Sequence, residues 1–216
     1  LKESRPVTIR AILAGLTALT MLSFAVPGLC APEHPRVLIR TDKGDIVVEV
    51  DPVRAPLTTA NFLRYVDAGL YDGSTFHRTV TPANQPNDRV RIEVIQGGQL
   101  PADREFPPIA HETTAQTGLR HVDGTISMAR GKPGTAASSF FLCIHDQPEL
   151  DYGGRRNPDG QGFAAFGRVV QGMDIVRAIQ ALPAQGQQLA PPVRIITVRR
   201  LDGIHKDPSQ RQGDTA

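Results

Sequence analysis

Trp is absent from the 216 residues, Cys occurs twice, and aromatic residues make up only 5%. With so few rings, Val, Ile and Leu are expected to fill most of the interior. Two cysteines exclude a disulfide-stapled scaffold. Cys143 lies in the apolar run Phe140-Phe141-Leu142-Cys143-Ile144 and reads as a small buried hydrophobe. A basic stripe interleaved with aromatics is missing, so no nucleic-acid partner is expected. Residues 1–30 hold Lys2, Arg5 and Arg10 against Glu3, which accounts for the whole formal charge of +2 and leaves the remainder neutral. Arg155-Arg156 and Arg199-Arg200 read as solvated loop or strand-end charges. There is no internal repeat and no low-complexity segment.

What is present begins with a three-part leader. A basic start is followed by an apolar run from Ala11 to Val26, and then by the small residues around Gly28, Cys30 and Ala31. That pattern predicts a signal peptide over residues 1–31, and hence an exported protein, periplasmic or secreted. The run is shorter than the ~20 residues of a spanning helix, so no stable membrane insertion is expected after cleavage. Residue 1 is Leu rather than Met, so a start upstream or an unusual start codon is expected.

The remaining chain is 40% hydrophobic by overall composition and long enough for one sizeable core. We read it as one domain over residues 36–203 with a polar tail at 204–216. Val37–Thr41 and Asp45–Val50 read as a hairpin turned by Asp42-Lys43-Gly44. Thr58 or Thr59 is expected to cap a helix carrying Phe62, Leu63, Val66 and Leu70. Further strands are expected at Thr75–Val80, Arg89–Gln96, Thr125–Ala129, Ser139–Ile144, Ala164–Val170 and Val193–Leu201. A second helix at Met173–Leu182 presents Met173, Val176, Ala178 and Ile179 inward. The 20 Gly and 18 Pro suit short strands joined by loops. Mainly β structure without β-α-β alternation favours a closed antiparallel barrel or a sandwich, and the pattern alone does not separate them.

Five fragments in order carry the chemistry. They are Phe76-His77-Arg78, Gln96-Gly97-Gly98, the run from Gly124 to Ala129, Ser139-Phe140-Phe141-Leu142, and the run from Phe166 to Asp174. The series resembles the cyclophilin-type peptidyl-prolyl cis-trans isomerases. That resemblance implies a closed eight-stranded antiparallel β-barrel capped by two α-helices. It also implies proline-containing polypeptides as substrates, assistance to protein folding, no cofactor, no metal, and a monomer. Arg78 and Gln96 match the family's catalytic pair. Phe141 and Leu150 match its proline pocket, and Met128 and Ala129 its peptide groove.

Departures from the family pattern are equally specific. Glu93 falls where a second pocket phenylalanine is expected, and Val94 takes the place of a methionine. The stretch Thr79–Arg91 is longer than the usual version and could shift the register, so that Ile92 or Val94 faces the pocket. Arg130 stands for an asparagine whose backbone binds peptide, and Ser139 for a groove glutamine. Glu149 replaces a tryptophan and Phe163 a histidine, which together predict weak cyclosporin binding. The loss at Glu93 leaves room for an alternative, a catalytically weak peptide-binding or chaperone module. A hydrolase using Ser138 or Ser139 with His111, His121 or His145 lacks a nucleophile elbow. A metal site at His111-Glu112 and His121 lacks ligand spacing, and these read as solvated loop histidines.

Overall fold

The computed structural model describes residues 34–201. The leader at residues 1–31 and the tail at 204–216 lie outside the described residues. Strands β1 (Arg36–Thr41) and β2 (Gly44–Val50) form the expected hairpin. Helix α1 (Pro56–Asp67) precedes β3 (Thr75–Val80) and β4 (Val94–Gly97). The short α2 (Thr114–Thr117) leads to β5 (Thr125–Met128), β6 (Phe140–Cys143) and β7 (Ala164–Gln171). Helix α3 (Met173–Gln180), β8 (Ala184–Gln185) and β9 (Gln188–Arg200) complete the order.

Every strand pairing is antiparallel. The order is β1-β2-β7-β5-β6-β4-β3-β9, and β9 pairs back with β1. Eight strands therefore close on themselves, which removes both sheet edges. The two-residue β8 pairs only with the start of β9. Helix α1 packs on β7 and β9, while α3 packs on β2, β3 and β4. No helix of the described residues is long and apolar enough to cross a membrane.

The few aromatics are concentrated at the centre. Tyr65, Tyr71, Phe62, Phe76, Phe140 and Phe166 are among the largest fully buried side chains. Phe140 meets Phe62, Tyr71 and Phe76 edge-on, with ring centroids 5.5–5.8 Å apart. Val37, Ile39, Ile46, Val48, Ile126, Leu142, Ile195 and Val198 fill the space around them. Rings thus take a larger share of the core than their overall scarcity suggests.

Three local expectations are corrected, and β9 adds an irregularity of its own. Neither Thr58 nor Thr59 caps α1; the cap is Ala55, which offers no side-chain bond. The Glu112 carboxylate takes that role from a distant loop, accepting from the amides of Leu57 (3.1 Å) and Thr58 (2.7 Å). Ala178 is exposed, because the α3 stripe runs through Val176 and Ile179 and a residue two on from 176 lies opposite it. In β9 a register shift pairs Thr41 with Ile195 but Arg40 with Thr197, so Val198 rather than Thr197 is buried. Strand β4 starts at Val94, not Arg89, since Gln85 takes the backbone of Ile92, accepting from its N–H (3.2 Å) and donating to its C=O (2.7 Å).

Candidate active site

Strand alternation builds the site on the outer wall of the barrel. In β6, Phe140 and Leu142 point into the main core, while Phe141 and Cys143 belong to a second, smaller apolar cluster. That cluster also holds Val80 from β3, Val94 from β4, Ile92 and Leu150, with Ala129 and Phe163 against it. A cavity of about 120 Å³ opens in this cluster, lined by Arg78, Ile92, Val94, Gln96, Ala129, Arg130, Phe141, Leu150 and Phe163. Ile92, Val94 and Gln96 are two residues apart and share one face. Glu93 lies on the other side, where its carboxylate accepts from His145 and Gln180, both at 3.2 Å. The longer Thr79–Arg91 stretch thus leaves an apolar pair at the socket instead of a buried carboxylate.

Met128 is not part of the site. Like Ile126, it faces the main core, at 1% exposure, and the alternation of β5 gives the outer face to Ser127 and Ala129. Ser139 lies beside the cavity and holds Gln96, accepting from its Nε2 at 3.1 Å. Arg130 takes part through its side chain as well as its backbone. Its guanidinium is 5.3 Å from the Phe163 ring centroid, forks onto Asp159 (2.8 and 2.9 Å) and donates to the Gly162 carbonyl. Those bonds, with that of the Gln161 amide, pull the Asp159 pKa from the ordinary 3.8 to about 2.

Arg78 is half-buried on the cavity wall, and its Nη1 donates to Gln96 Oε1 at 2.8 Å. Its Nε and Nη2 donate to Gln187 Oε1 at 2.9 and 2.5 Å. A guanidinium has five N–H groups, so two remain for a ligand. Burial and then the charge of Arg156 lower the Arg78 pKa, opposed by Asp88, yet a guanidinium stays charged at any ordinary pH. Because Arg78 only donates, the Gln96 amide must turn its oxygen to it. One Gln96 N–H goes to Ser139 and the other is left. Gly97 and Gly98 hold this corner: a Cβ on Gly97 would sit 2.7 Å from Phe76, and one on Gly98 2.5 Å from Phe140.

One cavity wall thus gathers Arg78, Val94, Gln96, Ala129, Arg130, Phe141, Leu150 and Phe163, and likeness to known proteins decides the family. The family model described as cyclophilin type peptidyl-prolyl cis-trans isomerase/CLD matches residues 36–200. The chain belongs to the cyclophilin-type peptidyl-prolyl cis-trans isomerases. It is 34% identical over 181 residues to peptidyl-prolyl cis-trans isomerase A of Dickeya dadantii, covering 82% of this chain and 86% of that protein. It is 36% identical over 163 residues to the isomerase cyp18 of Streptomyces antibioticus, covering 72% and 90%. A crystal structure of a Cryptosporidium parvum cyclophilin type isomerase superposes with a TM-score of 0.63 at 21% identity, over 81% of this chain and 99% of that one.

Around this cyclophilin site, several polar residues are placed otherwise than the sequence suggests. His121 is no solvated histidine: it is 1% exposed, with Nδ1 2.8 Å from Asp151 Oδ1 and Nε2 2.9 Å from Ser127 Oγ. This has the connectivity of a Ser-His-Asp triad, but Ser127 is wholly buried and no substrate carbonyl can reach it. The ring stacks on Phe141 at 6.0 Å and 14°, so the trio braces the socket from behind. Burial alone would raise the Asp151 carboxyl. Its bonds from His121, and the charges of His121 and Arg120, outweigh that and hold it below the usual range. Ser138 bonds Glu105 rather than a histidine. Half-buried His111 sits on the Gln161 carbonyl, and Glu112 serves α1. Among the described residues no three His, Cys, Asp or Glu side chains converge as metal ligands. Arg156, at 17% exposure, pairs with Asp88 and is no solvated charge. A larger cleft of about 540 Å³ lies elsewhere, rimmed by charged residues that include Glu49, Asp51, Arg54, Arg120 and Arg168.

Proposed function

We propose that this protein isomerises X–Pro bonds by presenting Arg78 to the prolyl nitrogen while Phe141, Leu150, Ile92, Val94 and Phe163 hold the ring. The barrier to be lowered is the loss of amide resonance, which makes the uncatalysed turn take tens of seconds. As the amide twists, its nitrogen becomes pyramidal and gains a lone pair that can accept a hydrogen bond. A guanidinium aimed there binds the twisted form better than either planar one, which is the condition for catalysis. Gln96 steadies Arg78 and offers its remaining N–H to a peptide carbonyl. No nucleophile, metal or proton transfer enters.

One observation carries this assignment: a guanidinium with two N–H groups to spare shares a wall with an apolar socket. Replacing Arg78 with Ala should lower kcat/KM by ~10²–10³-fold, the cost of removing one transition-state donor. A refolding assay limited by prolyl isomerisation measures it, beside NMR exchange on a proline peptide. Equal rates in parent and variant would remove Arg78 from the mechanism. The binding-module alternative loses its support, since Glu93 is turned away and apolar side chains line the socket.

The protein works outside the cytoplasm, as a monomer, on proline-containing chains that fold there. The basic lead and the apolar run from Ala11 to Val26 support export. N-terminal sequencing of the protein recovered from periplasm or medium tests it, and an intact residue 1–31 segment there would count against cleavage.

A further inference from the structure

We propose that Gln187 is a positioning residue for Arg78, and that the Thr81–Ile92 segment acts on the reaction through it, a role that rests on Arg78 being the donor to the substrate. Gln187 lies 109 positions along the chain from Arg78, in the turn between β8 and β9. The backbone fixes that turn where Arg78 emerges: Arg78 pairs with Gln188, and the Thr79 N–H donates to the Gln187 carbonyl at 2.9 Å. From there the single oxygen Oε1 takes both Nε and Nη2 of the guanidinium. Gln96 takes Nη1. Both ends of a flat group are thus held, and its plane can no longer swing about the long side chain.

The chemistry of the two holders matters. Each is a neutral amide, so it orients the cation without cancelling its charge. The acidic side chain that acts on Arg78, Asp88, is paired with Arg156 at 3.0 Å. Arg78 therefore keeps its charge for the twisting amide.

The same Gln187 ties this arrangement to the long segment. Its Nε2 donates to the Asn84 carbonyl at 3.3 Å. Asn84 is itself fixed, accepting from the Thr81 N–H at 2.9 Å and donating to the Thr79 carbonyl at 3.0 Å. Gln85, 1% exposed, stitches the segment to Ile92 in the socket, and Arg156 grips its far end through the Val90 carbonyl at 2.7 Å. The segment is thereby bonded to both halves of the site, the cation through Gln187 and the ring socket through Ile92.

The test compares Arg78→Ala, Gln187→Met, Gln187→Glu and Asn84→Ala in the mature protein. A proline peptide at saturation gives kcat by NMR exchange, titration gives Kd, and ¹⁵N relaxation of the Arg78 Nε–H reports its order. Gln187→Met fills the space without an acceptor. It should lower kcat by about tenfold, within the ~10²-fold that a 1 Å misplacement can cost, and leave Kd unchanged. The Nε–H order parameter should fall from roughly 0.85 to below about 0.6. Gln187→Glu restores the acceptor and should restore that order, and Asn84→Ala should shift kcat and order the same way by less. Unchanged kcat and order in Gln187→Met, with Arg78→Ala inactive, would overturn the role of Gln187 alone. Parent-like activity in Arg78→Ala would overturn the mechanism beneath it. A loss in Gln187→Met that appears in Kd, with the Nε–H still rigid, would also overturn the proposal.

Discussion

Single residues on one strand face decide what the socket can hold. Ile92 and Val94 stand in it while Glu93, between them, bonds His145 and Gln180. Ile92→Ala should therefore raise KM for proline peptides and cost about 2 kcal/mol of stability, as truncations of buried Ile do. Glu93→Ala should leave KM unchanged. Peptide kinetics beside denaturant melts separate the two, and a KM rise of equal size in Glu93→Ala would show that the socket is misassigned. Arg78, Gln96 and Phe141 stand out because each lies in a short motif beside a glycine or core residue that fixes it, whereas Leu150 lies in no such motif and is pointed to by the family resemblance alone. Met128 shares its motif with Ala129 yet faces the main core, because adjacent residues of a strand point to opposite sides.

At the scale of elements, two structures depend on partners far away in the chain. Helix α1 starts at Pro56 without a side chain of its own to cap it, and Glu112 supplies the carboxylate. Glu112→Gln should cost about 1 kcal/mol, the usual worth of an N-terminal anion or cap, read by urea denaturation. No loss would mean that the free amides are met by water. The Thr81–Ile92 segment looks like an irregular loop in sequence, rich in Pro, Asn and Asp. Its order comes from Gln85, whose amide bonds the Thr81 and Ile92 backbones, and nothing local in the sequence distinguishes that glutamine from its neighbours. The bulge in β9 is likewise silent, since either alternation of Val193–Arg200 offers apolar residues to one face.

For the whole molecule, charge pairs set the response to acid. Asp159, at about 2, lies below its ordinary 3.8, and Asp151, Asp51 and Asp72 are shifted the same way. A carboxylate with a depressed folded pKa adds stability that is complete above its unfolded value and disappears as pH falls through the folded one. The thermal midpoint should thus drop between about pH 4 and pH 2, and less steeply in Asp159→Asn. Parallel slopes for parent and variant would show that the Arg130–Asp159 fork adds nothing.

The chain alone points to one mainly β domain, barrel or sandwich. Its ordered motifs, through their resemblance to the cyclophilins, point to closure, to Arg78 and Gln96, and to a ring pocket with Phe141 and Leu150. Those signals are local: hydrophobic period, turn residues and motifs whose members lie within a few positions of one another. Tertiary structure alone decided that Ile92 replaces Glu93 in the socket, that His121, Asp151 and Ser127 brace Phe141, and that Gln187 grips Arg78. Each of those contacts joins segments that only barrel closure brings together, and a polar side chain carries no mark in sequence of the partner it will meet.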